Sequence, residues 1–134
     1  ETTTKSSYTE GNYLTPSRDA ARVNWNGRWR MPRASEIDEL VNNCTWVWTT
    51  QNGHNGYRVT GPNGDSIFLP AAGYRRGSSS GSVGSNGLYW SSTPYESNAQ
   101  GAYDLSFYSG NYSSNHSRNW NYRYFGYSVR PVLD

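Results

Sequence analysis

The apolar period of the chain changes once, after residue 44, and that change limits the fold to a few helices followed by a sheet. Before it, Ile37, Leu40, Val41 and Cys44 recur at the spacing of one helical stripe, starting after Pro32 and carrying Glu36, Asp38 and Glu39 in the opening turns, where acidic side chains favour the helix dipole. A first helix is predicted over 15–24, with Thr15 as N-cap, Pro16 at the first helical position and Asn26-Gly27 as the stop. After it the period is two. Thr45-Trp-Val-Trp-Thr49 sets Trp46 and Trp48 on one face of a strand. Turn residues at 51–56 and 61–65 lead into strands at 57–60 and 66–69, which reads as a meander.

Three later strands are predicted at 88–91, 102–107 and 125–130, separated by polar segments at 94–101 and 108–121. In the middle one, Tyr103, Leu105 and Phe107 alternate with Ala102, Asp104, Ser106 and Tyr108, which points the first set inward and the second outward. Residues 77–87 are so rich in Gly and Ser that a flexible surface excursion is expected there. The class is therefore α+β: two helices in the N-terminal part, then a mainly antiparallel β-sheet with long loops.

With 134 residues the chain makes one domain, 1–134. Only 34% of it is hydrophobic, yet six Trp, twelve Tyr and three Phe let each core position bury a large area. A net charge of +2, made by arginines set among acids, provides no basic stripe, so no nucleic-acid partner is expected. No apolar run reaches the length of a membrane-spanning helix, so no direct membrane insertion is expected. Cys44 is the sole cysteine, which rules out an internal disulfide and is expected to be a buried thiol. The abrupt start at Glu1 suggests a mature or trimmed piece of a longer polypeptide.

No catalytic constellation stands out, and an enzyme is not expected. Gly77-Ser-Ser-Ser-Gly81 matches the G-x-S-x-G pattern, but that motif needs a strand before it and a helix after it. His54 and His116 sit in Asn/Gly- and Ser/Asn-rich segments without an acid and a nucleophile at informative spacing, so both are read as solvent-exposed. No metal site and no cofactor are expected.

Trp29-Arg-Met-Pro32, Glu36, Leu40, Asn43-Cys-Thr-Trp46, Ser66-Ile-Phe-Leu-Pro-Ala-Ala-Gly-Tyr74, Tyr89-Trp-Ser-Ser92 and Ser128-Val-Arg-Pro-Val132 occur in an order that resembles the Fibrobacter succinogenes major paralogous domain. The resemblance covers nearly the whole chain and implies a C-type lectin-like fold in a secreted or surface protein of gut bacteria of the Bacteroidetes type. Two departures stand out. Arg33 occupies the place where members usually carry a Thr or Ser that caps the second helix, so a weaker cap is expected. Members also begin with an aromatic strand that would precede Glu1 and pair with the strand ending at Arg130-Pro-Val132, and its absence implies truncation. The calcium triplets of sugar-binding C-type lectins are missing, and Glu96 alone cannot supply the oxygens calcium needs. The formylglycine-generating enzyme, a fold relative, works through a cysteine pair that a single Cys44 cannot reproduce.

The last third of the chain is built from Tyr, Asn, Ser and Gly between fixed-looking pieces, a vocabulary suited to recognition because Tyr offers a rigid ring and Asn or Ser adaptable hydrogen bonds. The expected ligand-binding surface comprises Tyr95, Glu96, Asn98, Asp104, Ser106, Tyr108, Tyr112, Ser114, Asn115, His116, Asn119, Trp120, Asn121, Tyr122, Tyr124 and Tyr127. Its partner would be a protein receptor or a glycan, met outside the cell, at a cell surface or on a virion. Several C-type lectin-like proteins are targets of diversity-generating retroelements, which randomise adenines in codons such as those of Asn. The resemblance thus extends to a hypervariable receptor-binding or adhesion protein, bacterial or phage-borne, although Trp120 is not reachable by that route. The competing expectations are a calcium-independent carbohydrate-binding accessory domain, with Tyr112 and Trp120 as a parallel aromatic pair, and a structural spacer.

Overall fold

A computed structural model describes residues 13–110 and 114–134. Helix α1 (Ala20–Trp25) is followed by strand β1 (Trp29–Arg30), helix α2 (Ala34–Asn43) and the strands β2 (Thr45–Gln51), β3 (His54–Thr60), β4 (Ser66–Pro70), β5 (Tyr74–Arg76), β6 (Ser79–Gly81), β7 (Asn86–Pro94), β8 (Gly101–Tyr108), β9 (His116–Tyr122) and β10 (Val132–Leu133). The class is α+β, and the strands pair antiparallel in two three-stranded sheets, β2-β3-β4 and β7-β8-β9, and two short pairs, β1-β10 and β5-β6.

Helix α1 is shorter than predicted. Thr15 accepts from the N–H of Arg18 and Asp19 in a preceding turn, and Asp19 is the true cap, its Oδ1 accepting from Ala21 N (2.9 Å) and Arg22 N (3.1 Å). The same buried carboxylate accepts from Met31 N, so it fastens the helix start to the chain beyond β1. Asn26 ends the helix with φ 58°, where the sequence placed the stop.

Helix α2 starts after Arg33, whose side chain has no acceptor to offer the first turn. Two other groups do that work. Glu36 Oε2 accepts from Arg33 N (2.7 Å), and Thr93 Oγ1, from distant β7, accepts from Ala34 N (3.0 Å). The missing local Ser or Thr is thus replaced across the fold. Glu36 also takes a two-point ion pair from Arg30, which reaches Asp134 as well, and the guanidinium holds the Glu36 carboxyl below its ordinary range.

The β2–β3 hairpin turns on Asn52-Gly53 alone, both at positive φ (51° and 79°), so the predicted six-residue turn contracts to two residues with Gln51 opposite His54. Trp46 and Trp48 share the inner face as expected and meet Tyr57 edge to face at 5.3 and 5.0 Å. The core lies between α2, the inner face of β2-β3-β4 and one face of β7-β8-β9, with Ile37, Tyr57, Val59, Leu69, Tyr89, Leu105 and Phe107 buried in it. Cys44 is a free thiol at its edge, partly rather than fully buried. At Gly87 a Cβ would fall 1.9 Å from the Phe107 ring, so only glycine lets β7 cross there.

Three expectations are corrected here. The polar stretch 108–121 contains β9, which lacks the alternating apolar residues that would have announced it. The Gly/Ser-rich segment is ordered by backbone bonds: β6 pairs with β5, Gly84 N donates to Ala71 O (2.7 Å) and Asn86 N to Ser82 O (2.9 Å). Residues 125–130 form no continuous strand but a strap, fixed by a two-way exchange between Gly126 and Arg75 and by Ser128 bonding to Leu88 and Trp90. Val132 pairs with Arg30 of β1.

Candidate functional site

Register decides which side chains of β7-β8-β9 share a face. Leu88 lies opposite Ser106 and Ser106 opposite Ser117; Trp90, Asp104 and Asn119 form the next row. These rows look away from the core, as the alternation in 102–108 predicted. They are not a free surface, however, because the strap 125–128 crosses over them, with Tyr127 stacked on Trp90 at 4.4 Å.

The gap between sheet and strap is a cleft of about 500 Å³. Asn86 and Leu88 on β7, Ser106 and Tyr108 on β8, and Asn119, Trp120 and Asn121 on β9 supply one side. Tyr74 and Arg76 on β5 and Phe125 and Tyr127 on the strap supply the other. The volume falls in the range of roughly 300–1,000 Å³ usual for small-ligand sites.

Asp104 lies beneath this cleft with no exposed surface, and Ser106 retains only 2%. Their expected outward exposure is therefore corrected: the direction is right, but the strap covers them. The Asp104 carboxyl accepts from Ser106 Oγ at 2.5 Å and from Asn121 Nδ2 at 3.2 Å. Burial raises its pKa above the ordinary carboxyl value, and the two hydrogen bonds pull the other way. Burial also raises the Tyr127 phenol, with the Asp104 charge acting in the same direction.

From the β7–β8 loop round the end of β9 to the strap runs an unbroken file of rings. Tyr95 stacks on Trp120 (4.4 Å, 6°), Trp120 meets Tyr122 edge-on (5.8 Å), and Tyr122, Tyr124, Phe125, Tyr127 and Trp90 follow in contact at 5.5, 4.9, 5.8 and 4.4 Å. The Arg76 guanidinium sits 5.6 Å from the Phe125 ring centre and makes no ion pair with a described residue.

Of the expected surface, Ser106, Tyr108, Asn119, Trp120, Asn121 and Tyr127 meet at the cleft, and Tyr122 and Tyr124 continue the ring file beside it. The rest lies elsewhere. Tyr95, Glu96 and Asn98 belong to the β7–β8 loop, where Glu96 accepts from the Tyr103 hydroxyl and Asn98 Oδ1 from Gln100 N. Trp120 has Tyr95 as its parallel partner; Tyr112, expected in that place, lies outside the described residues. Ser114 is exposed, and Asn115 holds its own turn by donating to Ser109 O (3.0 Å). His116 is not solvent-exposed: it stacks on Trp46 at 4.3 Å and 10°, on the core side of the sheet, where burial lowers its pKa. His54 is exposed in its hairpin, as read from the sequence.

Sequence reasoning missed Tyr74, Arg76, Asn86, Leu88 and Phe125. The paired arginines beside a Gly/Ser-rich segment were the one available signal, but nothing local links them to residues 106–127. Ser79 of the G-x-S-x-G match is exposed at the start of β6 and is followed by no helix, so the motif lacks its strand–turn–helix setting. Ser106 and Asp104 have no imidazole between them, since His116 sits on the opposite face. Among the described residues no three His, Cys, Asp or Glu side chains are grouped to hold a metal ion, and no helix is long and apolar enough to cross a membrane.

A family model described as a domain of unknown function, DUF8237, matches residues 34–132. The chain belongs to this family. The match takes in every strand that lines the cleft and the strap over it, while α1 and β1 precede it. No curated protein and no solved structure matches the chain.

Proposed function

We propose that this DUF8237 domain is a non-catalytic recognition module of C-type lectin-like fold, acting outside the cell, that takes its ligand in the cleft between the β7-β8-β9 sheet and the strap. The convergence of Ser106, Tyr108, Asn119, Trp120, Asn121 and Tyr127 on one concavity carries this reading. Tyr74, Phe125 and Tyr127 in its wall are already packed ring on ring, so they lose little side-chain entropy on binding. The lectin-like assignment draws on two helices ahead of the sheets, and on β1 and β10 pairing near opposite ends of the sequence.

The test is an array of glycans and surface proteins probed with the natural chain and with Tyr108→Ala. Tyr108 is 48% exposed, so the variant is expected to fold as before and to lose its array signal. Signal that survives in Tyr108→Ala and in Asn119→Ala overturns the cleft as the site.

A second reading, diversification by a retroelement, is favoured by the Asn and Tyr positions 108, 119 and 121 sharing one wall. It expects a near-identical template repeat in the locus that differs at adenines of those codons. A locus without such a repeat and without a reverse transcriptase removes it.

A further inference from the structure

We infer that the cleft takes an acidic saccharide, a hydroxylated ring bearing a carboxylate or a sulfate, with Arg76 reading the anion. The inference rests on the cleft being the ligand site.

Asp104 fixes the hydrogen-bonding character of the floor. Ser106 turns its O–H and Asn121 its N–H toward the buried carboxyl, and Asn119 turns its N–H toward Ser117 Oγ at 3.0 Å. Left for a ligand are the Ser106 lone pairs, the Oδ1 atoms of Asn119 and Asn121 and one remaining N–H on each amide. A floor with acceptors in excess of donors suits hydroxyl groups, which donate to the oxygens and can accept from the amides.

The wall asks for the opposite. Arg76 lines the cleft, its guanidinium lies over Phe125, and no described carboxylate pairs with it. No Asp or Glu is among the described residues that line the cleft, and the Asp104 carboxyl beneath it is fully buried and already engaged by Ser106 and Asn121. A planar fork of donors beside an aromatic face matches a carboxylate or sulfate carried on a ring whose C–H face can lie against Phe125 or Tyr127. Hydroxyl donors, an anionic acceptor and an apolar ring face occur together in uronic and sulfated sugars.

The experiment titrates the full chain with oligogalacturonate, a sulfated galactan oligomer and a neutral galactan oligomer of equal length. The acidic oligomers are expected to bind about tenfold tighter than the neutral one, the difference shrinking in high salt. Arg76→Gln is expected to remove the difference, and Arg75→Gln to leave it, because Arg75 faces Ser78 and lies outside the cleft lining. Whichever acidic oligomer binds tighter names the anion. Equal binding of acidic and neutral oligomers, or a preference unchanged in Arg76→Gln, overturns the inference. If Tyr108→Ala still abolishes that binding, the cleft itself stands. Absence of binding by all three oligomers also overturns the saccharide assignment, and the array result with Tyr108→Ala then judges the cleft separately.

Discussion

The two three-stranded sheets put one face each into the same core and use their other faces in opposite ways. On β2-β3-β4 the outer face is left open, with Val47 and Arg58 exposed. On β7-β8-β9 the outer face is polar, yet Asp104 and Ser106 on it are as buried as Leu69 in the core. A polar face can be covered only if its groups find partners under the cover, and here Asp104, Ser106 and Asn121 satisfy one another. Covering it produces a concave cleft lined by hydrogen-bonding groups; leaving the other open produces plain surface.

The comparison breaks first if the sheets do not share a core. Phe107→Ala is expected to cost about 3–5 kcal/mol in denaturant unfolding, since Phe107 has no exposed surface and touches Trp46, Tyr57 and Tyr89. A loss below about 1 kcal/mol sets the sheets apart as separate units. The outer faces are compared next. Asp104→Ala leaves the Ser106 and Asn121 donors unpaired under the strap and is expected to cost about 1–3 kcal/mol. Arg58→Ala, on the open face, is expected to stay within about 0.5 kcal/mol. Similar losses at both positions would show that the strap does not cover its sheet.

A smaller effect comes from the cap that β7 lends to α2. Thr93→Ala is expected to cost about 1 kcal/mol, and Arg33→Thr, which restores a local cap, should recover part of it. Full loss of stability in Arg33→Thr itself would show that the cap cannot be moved.

The smallest effect is a pH slope that differs between the faces of the second sheet. The Asp104 carboxyl is held above 3.8, so the folded chain keeps its proton longer than the unfolded chain, and stability falls as pH rises from 3.8 through the raised value. Asp104→Asn should therefore gain on the natural chain across that window. His116, on the core face, is held below 6.5, so the unfolded chain takes up the proton first and stability falls as pH drops below 6.5. Melting curves of both His116→Gln and Asp104→Asn against pH check the two signs, and slopes of one sign would contradict the opposed burial.

Much of the scaffold was legible because its signals are local. The stripe from Ile37 to Cys44, the Trp46/Trp48 face and the alternation of Tyr103, Leu105 and Phe107 each fix an element from neighbouring residues alone. The site was legible in vocabulary and only partly in place. Tyr108, Asn119, Asn121 and Tyr127 were foreseen, whereas β9 was read as loop because His116, Arg118, Trp120 and Tyr122 alternate with residues as polar as themselves.

By itself, then, the sequence determined an α+β chain, the period and inner face of its main strands, and a last third rich in Tyr, Asn, Ser and Gly. The tertiary structure alone decided that residues 125–128 lie across that polar face, that Arg76 from β5 joins it, that Thr93 caps α2, and that Asp104 is covered. Each of these rests on a contact between residues far apart in the chain, formed when the strap pairs with Arg75 and Leu88. Spacing along the chain carries no record of such pairings, because backbone hydrogen bonds at an irregular bridge ask for no particular side chain.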